Sequence, residues 1–222
     1  MQVLNLATLE KQDEMLDILR NIQPVDISGA PGPQVLKAGT MKAGYFGVTS
    51  SVDLISGDAL ALAIGLSAGT AQNSDAGWLK WIKDGTLMYV AKKPFRHSIS
   101  WDMINNANAV YGSLAVEIGG RQYLVRLLTG GNNNPALSAN GEWNMIMYGV
   151  HKDHQPNWDN FEDADIGVGD GNGRHTWCQE TGASDAAYRV TRGGTGVTYF
   201  DPLSSSATYA TFGWRPVLEL VS

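Results

Sequence analysis

HTWCQE (175–180), AAYRVTRGG (186–194), GVTYF (196–200) and FGWRPVLEL (212–220) are four segments rich in β-branched and aromatic residues. Each is bounded by Gly, Ser, Asp or Pro, the composition of short strands separated by turns. The last ends in alternating Val217, Leu218, Glu219 and Leu220, which predicts a terminal strand. Trp177 and Trp214 fall on the inward side of that alternation and are expected in the core.

Upstream, WLKWIK and TLMYV flank Asp84-Gly85, the dipeptide that a type I′ hairpin turn requires. Pro94 ends the second strand, and Ser100 is placed to cap a helix with Asp102 in its first turn. Met103, Ile104, Ala107, Val110 and Tyr111 are its expected apolar face. A second hairpin is read in VEI and QYLVRLL around Gly119-Gly120, followed by a loop, GGNNNP. A second helix is predicted from about Ser138 to Val150, with Trp143, Ile146, Met147 and Val150 at i, i+3, i+4, i+7. A long polar loop, Lys152 to Arg174, precedes the late strands. This order gives an α+β domain with two helices packed on antiparallel sheets.

The closing Gly-Trp-Arg-Pro and its alternating strand resemble the terminal strand of C-type-lectin-like domains, in the branch that holds formylglycine-generating enzymes and phage variable proteins. Residues 78–222 resemble more closely the lectin-like domains in structural proteins of tailed-phage virions. The segments that carry this are GWLKWIKDGTLMYVAKKPFRHSISW, YLVRLLTGG, EWNMIMYGVHKD and WCQETGA. The resemblance implies a C-type-lectin-like fold, location in a virion, and ligand-facing side chains in the C-terminal region. The formylglycine-generating activity does not carry over, because it depends on paired cysteines or cysteine-held copper and Cys178 stands alone.

Residues 3–22 read as an amphipathic helix with Leu9, Leu16 and Leu19 on one stripe. It either lies on its own domain or serves as an oligomerising or docking helix. Residues 24–39 hold three Pro and three Gly among sixteen positions, the composition of an extended linker. Ser56 is a plausible cap for a short helix, Leu60 to Ile64, that Gly65 ends. This helix is apolar on every side and the chain has no disulfide. That predicts burial against a neighbouring subunit, three-fold as in phage fibres, with Leu60 and Ile64 in the interface. The expected organisation is an N-terminal helix (1–23), a linker (24–40), a connecting segment (41–75) and a lectin-like domain (76–222).

A hydrophobic content of 43% supports a sizeable core in 222 residues. The net charge of -6 argues against nucleic acid as a partner. No 18-residue apolar run exists and the first residues lack signal-peptide character, so neither membrane insertion nor export is expected.

The loop 152–174 gathers Asp159, Glu162, Asp163, Asp165 and Asp170, yet lacks the spacing of an EF-hand, so it reads as a solvated acidic loop. Gln155-Pro156-Asn157 looks like the calcium-and-sugar triplet of animal lectins, but the family's later Trp-Asn-Asp is missing. His151, His154, His175 and Cys178 are zinc-ligand types, and Cys178 is better read as a small core residue. No metal or cofactor is expected. No G-x-S-x-G occurs, and the enzyme reading is set aside. An Arg–aromatic surface is the preferred site, with Asn157, Trp158, Asp159, Arg189, Arg192, Tyr199 and Tyr209 as ligand contacts. The alternative is that the Tyr residues pack a second sheet face. The expected function is therefore a non-enzymatic virion protein. It would be attached to other virion proteins through residues 1–40 and display its domain to a host-surface glycan or protein. The other readings are a decoration or joint protein without ligand, and an envelope-directed hydrolase.

Overall fold

A computed structural model describes residues 27–131, 141–183 and 185–221; the helix expected over 3–22, with Leu9, Leu16 and Leu19, lies outside them. The described chain is mixed α+β and mostly strand. It begins with β1 (Ala38–Gly39), β2 (Ala43–Thr49), α1 (Gly57–Ala63), β3 (Thr70–Ala71), β4 (Trp78–Lys83) and β5 (Thr86–Ala91). Next come β6 (Arg96–His97), α2 (Trp101–Asn106), β7 (Tyr111–Ile118), β8 (Arg121–Arg126) and a π-helical turn, Asn144–Tyr148. The last elements are α3 (Asp163–Ile166), β9 (His175–Thr181), β10 (Tyr188–Arg192), β11 (Phe200–Ser204), β12 (Phe212–Trp214) and β13 (Val217–Leu220).

Two sheets result. One is seven-stranded and antiparallel throughout, ordered β1-β2-β4-β5-β13-β8-β7. The other is ordered β11-β10-β9-β12-β6-β3, and its β9–β12 pair is parallel, a departure from the expected all-antiparallel arrangement. The terminal strand enters the centre of the larger sheet, pairing Val217 with Val90 on one side and Arg126 on the other. Its alternation explains why both faces of that sheet are covered. Leu218 joins Leu87, Tyr89 and Trp78 in a core shared with Trp101, Trp177 and Trp214, while Val217 joins Met88, Val90 and Trp81 in a core with Trp143 and Ile146.

Both hairpin turns are of the expected kind. Asp84 and Gly85 have φ of 48° and 82°, and Gly119 and Gly120 have 58° and 77°. Ser56 Oγ accepts from Ala59 N at 3.2 Å, and Ser100 Oγ from Met103 N at 3.2 Å, so both caps form. The helix after Ser100 is shorter than its expected stripe: Ile104 is buried, but Met103 and Tyr111 are exposed and Tyr111 begins β7. The start of the second expected helix, at 138, falls outside the described residues. From Glu142 to Tyr148 the chain is helical, widening into a π turn over Asn144–Tyr148, and Trp143, Ile146, Met147 and Val150 are all fully buried.

The subunit-interface reading of residues 60–64 is corrected. Leu60 and Ile64 pack into the chain's own core with Trp78 and Phe95, and Leu62 turns outward at 83% exposure. The linker reading is corrected from residue 27 onward. Ser28 O accepts from Arg121 at 2.8 Å, Pro31 O accepts from the Tyr89 hydroxyl at 2.8 Å, and Ala38 pairs with Tyr45 in the large sheet. Ala30 O accepts from the buried Lys80 ammonium at 3.4 Å. Burial, and then the charge of Arg121, brings the Lys80 pKa down to about 8. The segment is a strap held by its carbonyl oxygens, which side-chain periodicity does not report. The boundary expected at residue 76 runs through the large sheet, because β2 is the direct neighbour of β4. Among the described residues no helix is long and apolar enough to cross a membrane.

Candidate aromatic binding site

Of the seven expected ligand contacts, the structure turns three inward. Arg192 is fully buried: its Nε donates to Tyr199 O at 3.0 Å, Nη1 to Gly130 O at 2.5 Å and Nη2 to Asn144 Oδ1 at 3.0 Å. Asp159 accepts from the Tyr45 hydroxyl at 2.6 Å and pairs with the Lys37 ammonium. Burial, and after it this carboxylate, pushes the Tyr45 phenol well above its ordinary range, so the hydroxyl remains a donor. Trp158 stacks on Trp81 with centroids 4.9 Å apart and planes 26° apart, and its backbone N–H donates to Gly149 O at 2.9 Å. Asn157 precedes it, half-buried.

For Asp159 and Trp158 the physical reason is shared, whereas Arg192, on β10, is drawn inward by Gly130, Asn144 and Tyr199. The loop 152–174 does not stand off the domain but folds back over the β1–β2–β4 end of the sheet. Lys37 and Tyr45 receive Asp159, and Trp81 receives Trp158. The loop's acidic residues are also partly engaged, since Asp165 Oδ2 accepts from Glu162 N at 3.0 Å to cap α3. Trp158→Ala is therefore expected to cost about 2–3 kcal/mol, less than a fully buried Trp because the ring is partly exposed. Urea unfolding followed by Trp fluorescence measures it, and a loss below about 0.5 kcal/mol would return Trp158 to the surface class.

Arg189 is half-buried, its guanidinium 4.4 Å from the Trp101 ring and donating to Ala186 O and Tyr188 O. Tyr199 and Tyr209 are brought together with three residues the sequence reading did not select: His175, Asp201 and Phe212. His175 opens β9 and Phe212 opens β12, and the parallel register places them side by side. Their rings meet edge-on, 5.6 Å apart at 73°. Tyr199 also meets His175 edge-on, at 5.2 Å and 74°, and Tyr209 meets Phe212 at 5.6 Å. The Tyr199 hydroxyl donates to Asp201 Oδ2 at 3.2 Å. Tyr209 is 70% exposed, the ring of this group that water reaches most.

Gly194 lies under His175, where a Cβ would sit 2.5 Å from Cε1, so a side chain there would lift the imidazole off its seat. Burial lowers the His175 pKa, against the opposing pull of Asp201 and Asp170, so the ring is neutral at pH 7. Burial, with the neighbouring Asp201, raises the Tyr199 pKa and keeps its proton in place. The result is a ledge of aromatic edges and one open face, with a carboxylate acceptor and a neutral imidazole beside it. Such a surface stacks on the apolar face of a sugar ring and meets its hydroxyls with both donors and acceptors.

The zinc-type residues are not gathered: among the described residues no three His, Cys, Asp or Glu side chains stand close enough to hold a metal ion. Cys178 is buried, and that burial raises its thiol pKa. Compared with protein-family models, with curated proteins and with solved structures, the chain matches none.

Proposed function

We propose that this chain is a non-enzymatic structural protein of a tailed-phage virion. Its N-terminal segment attaches it to other virion proteins, and its lectin-like domain presents the Tyr199–Tyr209 ledge to a host-surface glycan. The order from Trp78 supports the lectin-like part of this reading: hairpin, helix, hairpin, helical turn, long loop, then late strands ending in GWRPVLEL. The observation that carries the ligand part is Tyr209, a large ring left 70% exposed against Phe212, which in turn meets His175. An exposed aromatic with no core role is the type of side chain that supplies binding energy when covered.

Tyr209→Ala is expected to weaken binding of the full-length protein to host cells or to an immobilised glycan by about tenfold or more, roughly 1–2 kcal/mol. Its unfolding free energy is expected to stay within about 0.5 kcal/mol of the parent, since nothing buried is removed. Equal binding by parent and variant would favour the second reading, a joint or decoration protein without ligand. That reading draws on the inward positions of Arg192, Trp158 and Asp159, which serve the fold instead of a ligand.

A further inference from the structure

Away from the aromatic ledge, a cavity of about 220 Å³ opens between Gln72–Asn73, Lys93 and the glycine-rich loop at Gly171, Asn172 and Arg174. It is smaller than the pockets of about 300–1,000 Å³ that take drug-sized molecules, and it suits one charged group with its immediate attachment. Its walls are polar and its charges are of one sign. Among the described residues neither Lys93 nor Arg174 forms an ion pair with a carboxylate, although five other Lys or Arg pairs do form in the same residues. Arg174 is held in place from one end: its Nη1 donates to Val168 O at 2.6 Å, which leaves the rest of the guanidinium fork for the cavity. Gly171, with φ of 135°, closes the loop so tightly that a Cβ there would stand 3.0 Å from the Arg174 Nε. The turns of GDGNG (169–173) thus leave no room for a side chain beside the guanidinium.

Lys93 sits in a field made by Lys92, Arg174 and Arg215, with Asp165 as the carboxylate that opposes them. Burial first, and then these like charges, lower its pKa. Two cations line one cavity, Asp165 offsets the repulsion at Lys93 only in part, and an anion bound between them relieves both at once. The amides of Gln72 and Asn172 on the remaining walls add donors at neutral cost in charge.

We propose that this cavity is an oxyanion site, with Lys93 and Arg174 gripping one carboxylate, sulfate or phosphate group. The site stands independently of the aromatic ledge, so either can fail without the other. The test is calorimetric titration of the full-length protein at low ionic strength with glucuronate, sulfate and inorganic phosphate, and with glucose as the neutral control. Saturable binding of at least one anion and none of glucose is expected, weakened about tenfold or more in Lys93→Gln and lost in Lys93→Glu. Preference for glucuronate would assign the site to an acidic sugar, and preference for phosphate or sulfate to the inorganic ion. No saturable binding of any of the three, or binding unchanged in both variants, overturns the proposal. Should Lys93→Glu fail to fold, the parent protein with ¹³C-methylated lysines supplies the same answer. The Lys93 methyl resonance, assigned with Lys93→Arg, must move on anion addition; movement confined to other lysines overturns the proposal.

Discussion

Arg215→Met is expected to destabilise the protein by about 3–5 kcal/mol, roughly a fifth or more of the stability of an ordinary domain. Arg215 is fully buried at the join between the two sheets. Its Nη1 donates to Ala91 O at 2.9 Å and Lys92 O at 2.6 Å, and its Nη2 to Ile166 O at 2.7 Å and Gly167 O at 3.1 Å. The Nε reaches Thr176 Oγ1 at 3.3 Å, and the guanidinium lies 5.5 Å from the centre of the Trp143 ring. One side chain therefore ties the end of β5, the end of α3 and the start of β9. Burial brings its pKa down to about 9, which still leaves it charged at neutral pH. Methionine would fill much of the volume but leave four carbonyl oxygens without donors, each a desolvated acceptor. Arg215→Lys is not expected to rescue it, because one ammonium cannot span acceptors arranged for a planar fork. The urea midpoint, followed by near-UV Trp circular dichroism, measures the loss. A cost under about 1 kcal/mol would mean that water enters and satisfies the carbonyls in its place.

This changes the meaning of the Gly-Trp-Arg-Pro run from which the lectin-like resemblance starts. Every member has a packing task. A Cβ on Gly213 would sit 2.1 Å from Gly173 O, Trp214 is fully buried, and Pro216 O accepts from Ala91 N at 3.0 Å. The motif fixes the crossing from the smaller sheet into the larger one.

What side-chain type and spacing encode locally was readable. The Asp84-Gly85 and Gly119-Gly120 turns, the Ser56 and Ser100 caps and the stripe through Trp143 and Val150 all rest on interactions within a few residues. What depends on a distant acceptor was not. Arg192 looks like a surface cation until Gly130 O and Asn144 arrive from elsewhere in the chain. Trp158 looks like an exposed loop aromatic until Trp81 is beneath it. The strap at 27–40 lacks any hydrophobic period because its hold is through backbone oxygens, among them those of Ser28 and Pro31. The candidate site divides in the same way. Tyr199 and Tyr209 were legible as aromatics near turns, whereas His175 and Phe212 meet only through the parallel β9–β12 pairing, which no local pattern announces.

The other large effect belongs to Glu142, at the first described turn of the helical segment and almost fully buried. Its carboxylate accepts a bidentate pair from Arg126, Nη1 at 2.7 Å and Nη2 at 2.8 Å, while Arg126 Nε reaches Glu219 at 2.7 Å. Thr129 N donates to the same carboxylate at 3.1 Å and Lys83 Nζ at 3.3 Å, so strands β4, β8 and β13 meet at one charge cluster. Burial by itself would raise the Glu142 pKa, but the Arg126 hydrogen bonds and charge, with Thr129 and Lys83, outweigh it and hold the value low. A carboxylate with a folded pKa below its unfolded one contributes stability in full above the unfolded value. That contribution disappears as pH falls through the folded value. Glu142→Ala is expected to cost about 3–5 kcal/mol at pH 7, because it takes from the largely buried Arg126 one of its two carboxylate partners, and less at acid pH. Glu142→Gln keeps the Thr129 contact and the shape, and is expected to cost less. Parallel urea titrations at pH 7 and near pH 3 test this: the parent–Ala difference must shrink in acid. A difference that stays constant across that range would mean that shape and packing, not the ionised pair, hold the helical segment to the sheet.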